Sequence, residues 1–95
     1  PECTYAIDNL YNTLMMNSNM KIEIAGHTDS DGDAKDNLIL SQHRSESVMN
    51  YLIKMGLDPK RVQAKGYGEY KPIAPNDSAP NKAMNRRTEI RVLDE

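Results

Sequence analysis

Apolar positions recur along this chain with two different periods, and the switches between them mark out the elements. Over residues 1–17, Cys3, Ile7, Leu10, Tyr11 and Leu14 fall at helical spacing, with Ala6 and Met15 widening the stripe. Pro1 suits a first turn, and Asn17-Ser18-Asn19 is a stop. Over residues 21–25 the period changes to two: Ile22 and Ile24 share one face, Lys21 and Glu23 the other. The stretch from 26 to 37 is rich in Asp, Ser and Gly and reads as a loop.

A second helix is predicted over residues 41–55, with Ser41 as its N-cap. Its buried stripe is Ser45, Val48, Leu52 and Met55, with Tyr51 at the edge. Gly56 sits at the C′ position, Lys54 complements the helix C-terminus, and Pro59 prevents resumption. A short strand at 62–65 ends at Gly66. A long loop from 68 to 87 holds Pro72, Pro75 and Pro80, which exclude it from a central strand. The last strand spans 88–93, with Ile90 and Val92 facing inward. This order predicts an α/β (α+β) two-layer sandwich, with two helices packed on one face of a mixed sheet.

Composition narrows the possibilities. Ninety-five residues make one small domain, 1–95. Twelve basic against fourteen acidic residues leave a net charge of −2, without the basic excess of a nucleic-acid module. No apolar run approaches the ~20 residues needed to cross a bilayer. The one cysteine rules out an internal disulfide framework and any multi-cysteine metal site. The chain begins at Pro1 without a signal segment and reads as a piece of something longer.

Three constellations carry possible chemistry. The acidic run from Thr28 to Asn37, aligned as an EF-hand from Asp29, offers Asp at positions 1, 3 and 5. It puts Ala34 at the required glycine and Leu40 at the bidentate glutamate. A calcium-responsive interaction domain built on residues 29–36 is therefore the alternative function, and a solvated acidic turn the plain one. His27, His43 and Asp29 have no spacing that demands zinc, so no metal and no cofactor is expected. No serine lies in a nucleophile elbow and Cys3 has no evident activation, which leaves a hydrolase without machinery. The expected answer is not an enzyme.

Arg44 is more informative. With Ser41 as cap it would sit near N3, where a cation opposes the helix dipole by about 0.3–1 kcal/mol, a placement that suits a partner. The alternative is a salt bridge to Glu46, Glu69 or a loop aspartate. Asn85-Arg86-Arg87 concentrates charge where a loop enters the last strand, one arginine to hold the loop and the other free for a ligand. A carboxylate from Asp29, at a strand's C-terminal end, and the guanidiniums of Arg44 and Arg86 can converge on one crevice and match a zwitterion.

The ordered motifs Gly26-His27-Thr28-Asp29, Asn37 to Val48 (NLILSQHRSESV), Gly56-Leu57, Arg61-Val62, Gly66-Tyr67-Gly68, Pro72 and Asn85 to Ile90 (NRRTEI) closely resemble the OmpA-like C-terminal domain. That is the OmpA, Pal and MotB peptidoglycan-binding family, and the resemblance covers essentially the whole chain. It implies a βαβαββ fold and non-catalytic binding of peptidoglycan through the meso-diaminopimelate of the stem peptide. Such binding would anchor a Gram-negative outer membrane, or a membrane complex, to the cell wall from the periplasm. Carried over by resemblance, Asp29 and Arg44 grip the ammonium and carboxylate of diaminopimelate. Thr28 and Asn37 line the pocket, Leu40 closes its wall ahead of the helix cap, and Arg86 also reaches the ligand. Arg44-Ser45 stands where the family has Arg-Ala. The family's first strand is missing ahead of Pro1, so membrane association would come only through a missing N-terminal region. The open sheet edge is expected to be filled by strand-completing self-association or to destabilise the chain.

Overall fold

The computed structural model describes the backbone of residues 2–94 and the side chains from Ala6 onward. The expected contributions of Pro1 and of the Cys3 side chain lie outside the described residues. In chain order the elements are α1 (Glu2–Met16), β1 (Lys21–His27), α2 (Ala34–Met55), a 3-10 turn (Pro59–Arg61), β2 (Val62–Gly68), α3 (Ala79–Asn85) and β3 (Arg87–Asp94). The three strands form one mixed sheet in the order β2-β1-β3. β1 is parallel to β2, with Ile24 opposite Ala64, and antiparallel to β3, with Ile24 opposite Ile90. The expected α/β sandwich on a mixed sheet is what forms.

Leu14, Ile22, Ile24, Leu52, Leu57 and Val62 are buried together at the heart of the helix–sheet interface. Ile7, Leu10, Met20, Val48 and Ile53 pack around them. Arg61 bonds the carbonyls of Leu14 and Asn17 at 2.7 Å and that of Met20 at 3.0 Å. A fixed cation thereby satisfies the carbonyl end of α1, where the helix dipole is negative. The Tyr11 hydroxyl ties α1 to the Met55 carbonyl at the far end of α2.

Two glycines bring α2 down onto the sheet. A Cβ on Gly26 would stand 2.5 Å from Ser45 Oγ and 2.6 Å from the Ser41 carbonyl oxygen. A Cβ on Gly66 would collide with the backbone of Gln42. Glycine in the strands and serine on the helix let the two backbones approach with only hydroxyls between them. Ser45 Oγ bonds the Lys65 carbonyl at 3.1 Å, and Ser41 Oγ accepts the Gly68 N–H at 2.9 Å.

Four expectations are corrected. α2 starts at Ala34, not at Ser41: Asp33 is the N-cap, its carboxylate accepting the N–H groups of Lys35 (2.8 Å) and Asp36 (3.2 Å). Arg44 consequently lies in the middle of α2, away from the dipole's positive end. β1 and β2 run on to His27 and Gly68, because their glycines mark close approach to α2 rather than strand ends. The segment read as loop contains α3, with Ser78 as cap and Pro80 in the first turn, a position where proline's missing N–H costs nothing. Ile90 and Val92 lie on the helix side of β3, yet they are 40% and 50% exposed, since among the described residues β3 is the outermost strand and is paired along one edge alone.

Candidate functional site

The C-terminal end of β1 delivers His27, Thr28 and Asp29 in succession, all buried. Thr28 N–H bonds the Gly68 carbonyl at 2.9 Å, so the chain leaves the sheet in register with the end of β2. One Asp29 carboxylate oxygen accepts the Asp31 N–H at 2.9 Å, and the other is paired with the Arg86 guanidinium. That backbone donor, then Arg86, hold the Asp29 carboxyl below the ordinary carboxylate range. The Arg86 side chain remains 48% exposed.

Arg86 is aimed by its neighbours. Asn85 is fully buried: its Oδ1 accepts from Ile73 N (2.8 Å) and Ala74 N (3.1 Å), while its Nδ2 donates to Ala74 O and Asn76 Oδ1, both at 2.9 Å. It clamps the proline-rich loop onto α3. Arg87 pairs with Glu89 and donates to the carbonyls of Lys71 (2.9 Å) and Asn85 (3.2 Å). Arg87 is thus the loop-holding arginine, and Arg86, although paired with Asp29, is the one left half open. The clamping role of Asn85 was not foreseen, although its place at the head of a double-arginine segment was visible.

Beside this pair is a cleft of about 160 Å³ lined by Gly26, His27, Arg44, Arg86, Arg87 and Thr88. Arg44 enters it from α2 and makes no ion pair among the described residues, so the expected alternative of a bridge to Glu46, Glu69 or a loop aspartate is not realised. With Arg44 and Arg86 among its lining residues, and the guanidinium of Arg87 committed to Glu89 and two carbonyls, the cleft is a place for an anion. Asp29 is not itself a lining residue; it meets the cleft through its pair with Arg86, and its carboxylate keeps acceptor capacity for a cation.

The remaining expected residues lie apart from the cleft wall. Asn37 braces the loop, donating to Asp31 O at 2.9 Å and Glu69 Oε1 at 3.2 Å. Leu40 is exposed within α2 rather than ahead of its cap, and it does not line the cleft. The larger groove nearby, about 510 Å³, is lined by Leu38, Ile39 and Gln42 on one side and Lys65 and Gly66 on the other.

His27 was not singled out for the cleft. Its ring stacks on Tyr67 with centroids 5.3 Å apart, and neither ring nitrogen has a hydrogen-bond partner. Nε2 stands 3.7 Å from the Glu89 carboxylate. Burial and the nearby Arg87 lower its pKa against the pull of Glu89. On the same face, burial would raise the Glu23 carboxyl, but bonds from Tyr67 (2.7 Å), Gln63 (3.0 Å) and Arg91 (3.2 Å) carry it below its ordinary value.

The acidic loop does not form a calcium cradle. Asp33 caps α2, Asp29 holds Arg86, and Asp31 bonds Lys82 at 2.9 Å. Among the described residues no three His, Cys, Asp or Glu side chains converge where a metal ion could sit.

Comparison with known proteins places the chain among relatives of the same fold. The chain is 41% identical over 86 residues to outer membrane porin F of Pseudomonas fluorescens, covering 90% of this chain and 26% of that protein. It is 33% identical over 91 residues to the peptidoglycan-associated lipoprotein of Pseudomonas putida, covering 96% of this chain and 54% of that one. The chain therefore spans between a quarter and about half of these relatives. The C-terminal domain of Helicobacter pylori MotB superposes with a TM-score of 0.90 at 29% identity, over 100% of this chain and 74% of that one. Residues 2–86 match the OmpA family, and with the fold and motif spacing in agreement the chain belongs to that family.

Proposed function

We propose that this domain binds peptidoglycan without chemistry, holding the meso-diaminopimelate of the stem peptide and so anchoring a periplasmic part of an outer-membrane or membrane-complex protein to the wall. The observation that carries this reading is Arg44, an unpaired guanidinium entering a small cleft whose other walls include Arg86 and Arg87. The ligand's distal carboxylate would take Arg44 in a bidentate pair, and its ammonium would join Arg86 on the Asp29 carboxylate. Thr28 and Asn37 serve by shaping the loop that carries Asp29. The name of the Pseudomonas putida relative, a peptidoglycan-associated lipoprotein, supports the same partner. The role proposed is retention, not turnover.

Calorimetric titration of a diaminopimelate-containing muropeptide tests the reading. Saturable binding is expected in the wild type, with loss of about tenfold or more in Asp29→Ala and in Arg44→Ala. A lysine-type muropeptide lacks the distal carboxylate and leaves Arg44 unpaired, so it should bind more weakly by about 1–3 kcal/mol. Equal affinity for the two muropeptides would remove Arg44 from the role given to it.

A further inference from the structure

His27 closes the central strand of the sheet, with β2 on one side and β3 on the other, and is only 5% exposed. It is also one of the residues lining the cleft that holds Arg44 and Arg86. An imidazole is either neutral, with one N–H and one lone pair, or a cation with two N–H groups. In His27 neither nitrogen meets a partner among the described residues, so both polar atoms of the ring are buried and unused. The Glu89 oxygen that Arg87 Nε also holds stands 3.7 Å from His27 Nε2. Most of the other charges around the ring are positive. Arg87 is beside it on β3, and Arg44 and Arg86 share the cleft, Arg86 being paired with Asp29. The Tyr67 ring stacked on His27 has Lys71 Nζ at 4.6 Å and Lys65 Nζ at 5.1 Å from its centroid, while Glu23 and Arg91 meet at its hydroxyl.

On the wall-binding reading, which this step presupposes, we propose that His27 takes up a proton from solvent when the ligand's carboxylate settles beside Arg44, so that retention of the wall is tied to pH. Before binding, burial and then Arg87 and Lys71 keep the ring neutral against the pull of Glu89. A carboxylate held by Arg44 brings a negative charge into the cleft that His27 lines and offsets those cations. The ammonium of the same ligand is received by Asp29, two residues further along the chain and outside the cleft lining, so the negative end is the one His27 faces. Once protonated, Nε2 donates to the Glu89 oxygen, which closes from 3.7 Å to hydrogen-bond distance by a small side-chain shift. Glu89 then serves two cations, Arg87 and His27, with one carboxylate. By linkage, whatever favours the ligand favours the proton, and affinity rises as pH falls through the His27 titration.

Calorimetric titration of the diaminopimelate-containing muropeptide at about pH 6, run once in MES and once in Bis-Tris, counts the protons taken up, because the two buffers release them with different heats. The wild type should take up a measurable fraction of one proton per muropeptide and bind about three- to tenfold more tightly near pH 5 than near pH 7.5. His27→Gln, neutral at any pH, should show no uptake and lose that pH dependence. The His27 ring signals in the nuclear magnetic resonance spectrum of the wild type decide the matter if His27→Gln fails to fold. Their titration midpoint should move to higher pH when muropeptide is present, while the signals of His43, exposed on α2, should be the same with and without it. Binding without proton uptake, uptake that persists in a folded His27→Gln, or a His27 midpoint unmoved by muropeptide would each overturn the proposal and leave the wall-binding reading standing. No saturable binding at any pH would overturn both.

Discussion

The half of the sheet under α2 and the half under α1 are built on different principles. Under α2, Gly26 and Gly66 let the helix backbone come within side-chain reach of two strands, and Ser41, Gln42 and Ser45 fill the seam with hydrogen bonds. Under α1, the contact is apolar and looser: Ile7 and Leu10 are only partly buried, and a cleft of about 240 Å³ remains between them and β3. The first half permits one geometry, because each polar group in the seam needs its partner. The second tolerates adjustment. The candidate binding cleft lies where the two meet, with Gly26 and Arg44 from the tight side and Arg87 and Thr88 from the loose one.

The largest effect should come from breaking the tight side. Gly66→Ala drives a methyl group into the Gln42 backbone, and we expect a loss of about 3 kcal/mol or more in urea unfolding. Gln42→Ala leaves the Gly66 N–H and the Ala64 carbonyl without their partner, which should cost about 1–2 kcal/mol and speed amide exchange at Gly66. A Gly66 amide that exchanges no faster in this variant would mean that Gln42 does not close the edge.

A smaller effect is expected at His27, on the face of the sheet turned away from the helices. Its folded pKa lies below the unfolded one, so the unfolded chain takes up the proton first as pH falls past about 6.5. The contribution to stability is complete above that value and is lost as pH drops towards the folded pKa. His27→Gln should flatten the decline in stability between roughly pH 7 and 5. The depressed carboxyls of Asp29, Glu23 and Glu89 act lower: their contribution is present above the ordinary carboxylate range and disappears as pH falls through their folded values. Smallest of all, Thr88→Val on the exposed edge should change stability by no more than about 0.5 kcal/mol. A loss comparable to that of Gln42→Ala would erase the contrast between the two sides.

Much of this fold could be read from residue types, and the misses share a cause. The alternation of Ile22 and Ile24 located β1, and Gly56, at φ 124° with its N–H on the Ile53 and Leu52 carbonyls, ended α2 where expected. The start of α2 was hidden because Leu38, Ile39 and Leu40 form an apolar run that is exposed in the folded chain, so the first two turns carry no amphipathic signature. Asp33 looked like part of an ion loop because a cap and a ligand are the same carboxylate until its N–H donors are seen. α3 was missed because Pro80 was weighed as a breaker, not as a first-turn residue. Asp29, Arg44 and Arg86 stand out in the sequence; the structure pairs Asp29 with Arg86 and brings Arg86 and Arg44 to one cleft. The dipole rationale for Arg44 was mistaken, however, and what places it at the cleft is the seating of α2 on Gly26.

That seating has a mechanical consequence. A tether gripping Asp29 and Arg44 would pull at once on the end of a strand and on the middle of a helix. Gly26 presses these two elements together within three residues of each attachment point, with Ser41 and Ser45 pinned across the contact. Tension entering at the cleft would be divided between sheet and helix before it could peel either one, and the seam would be loaded in shear along its whole length.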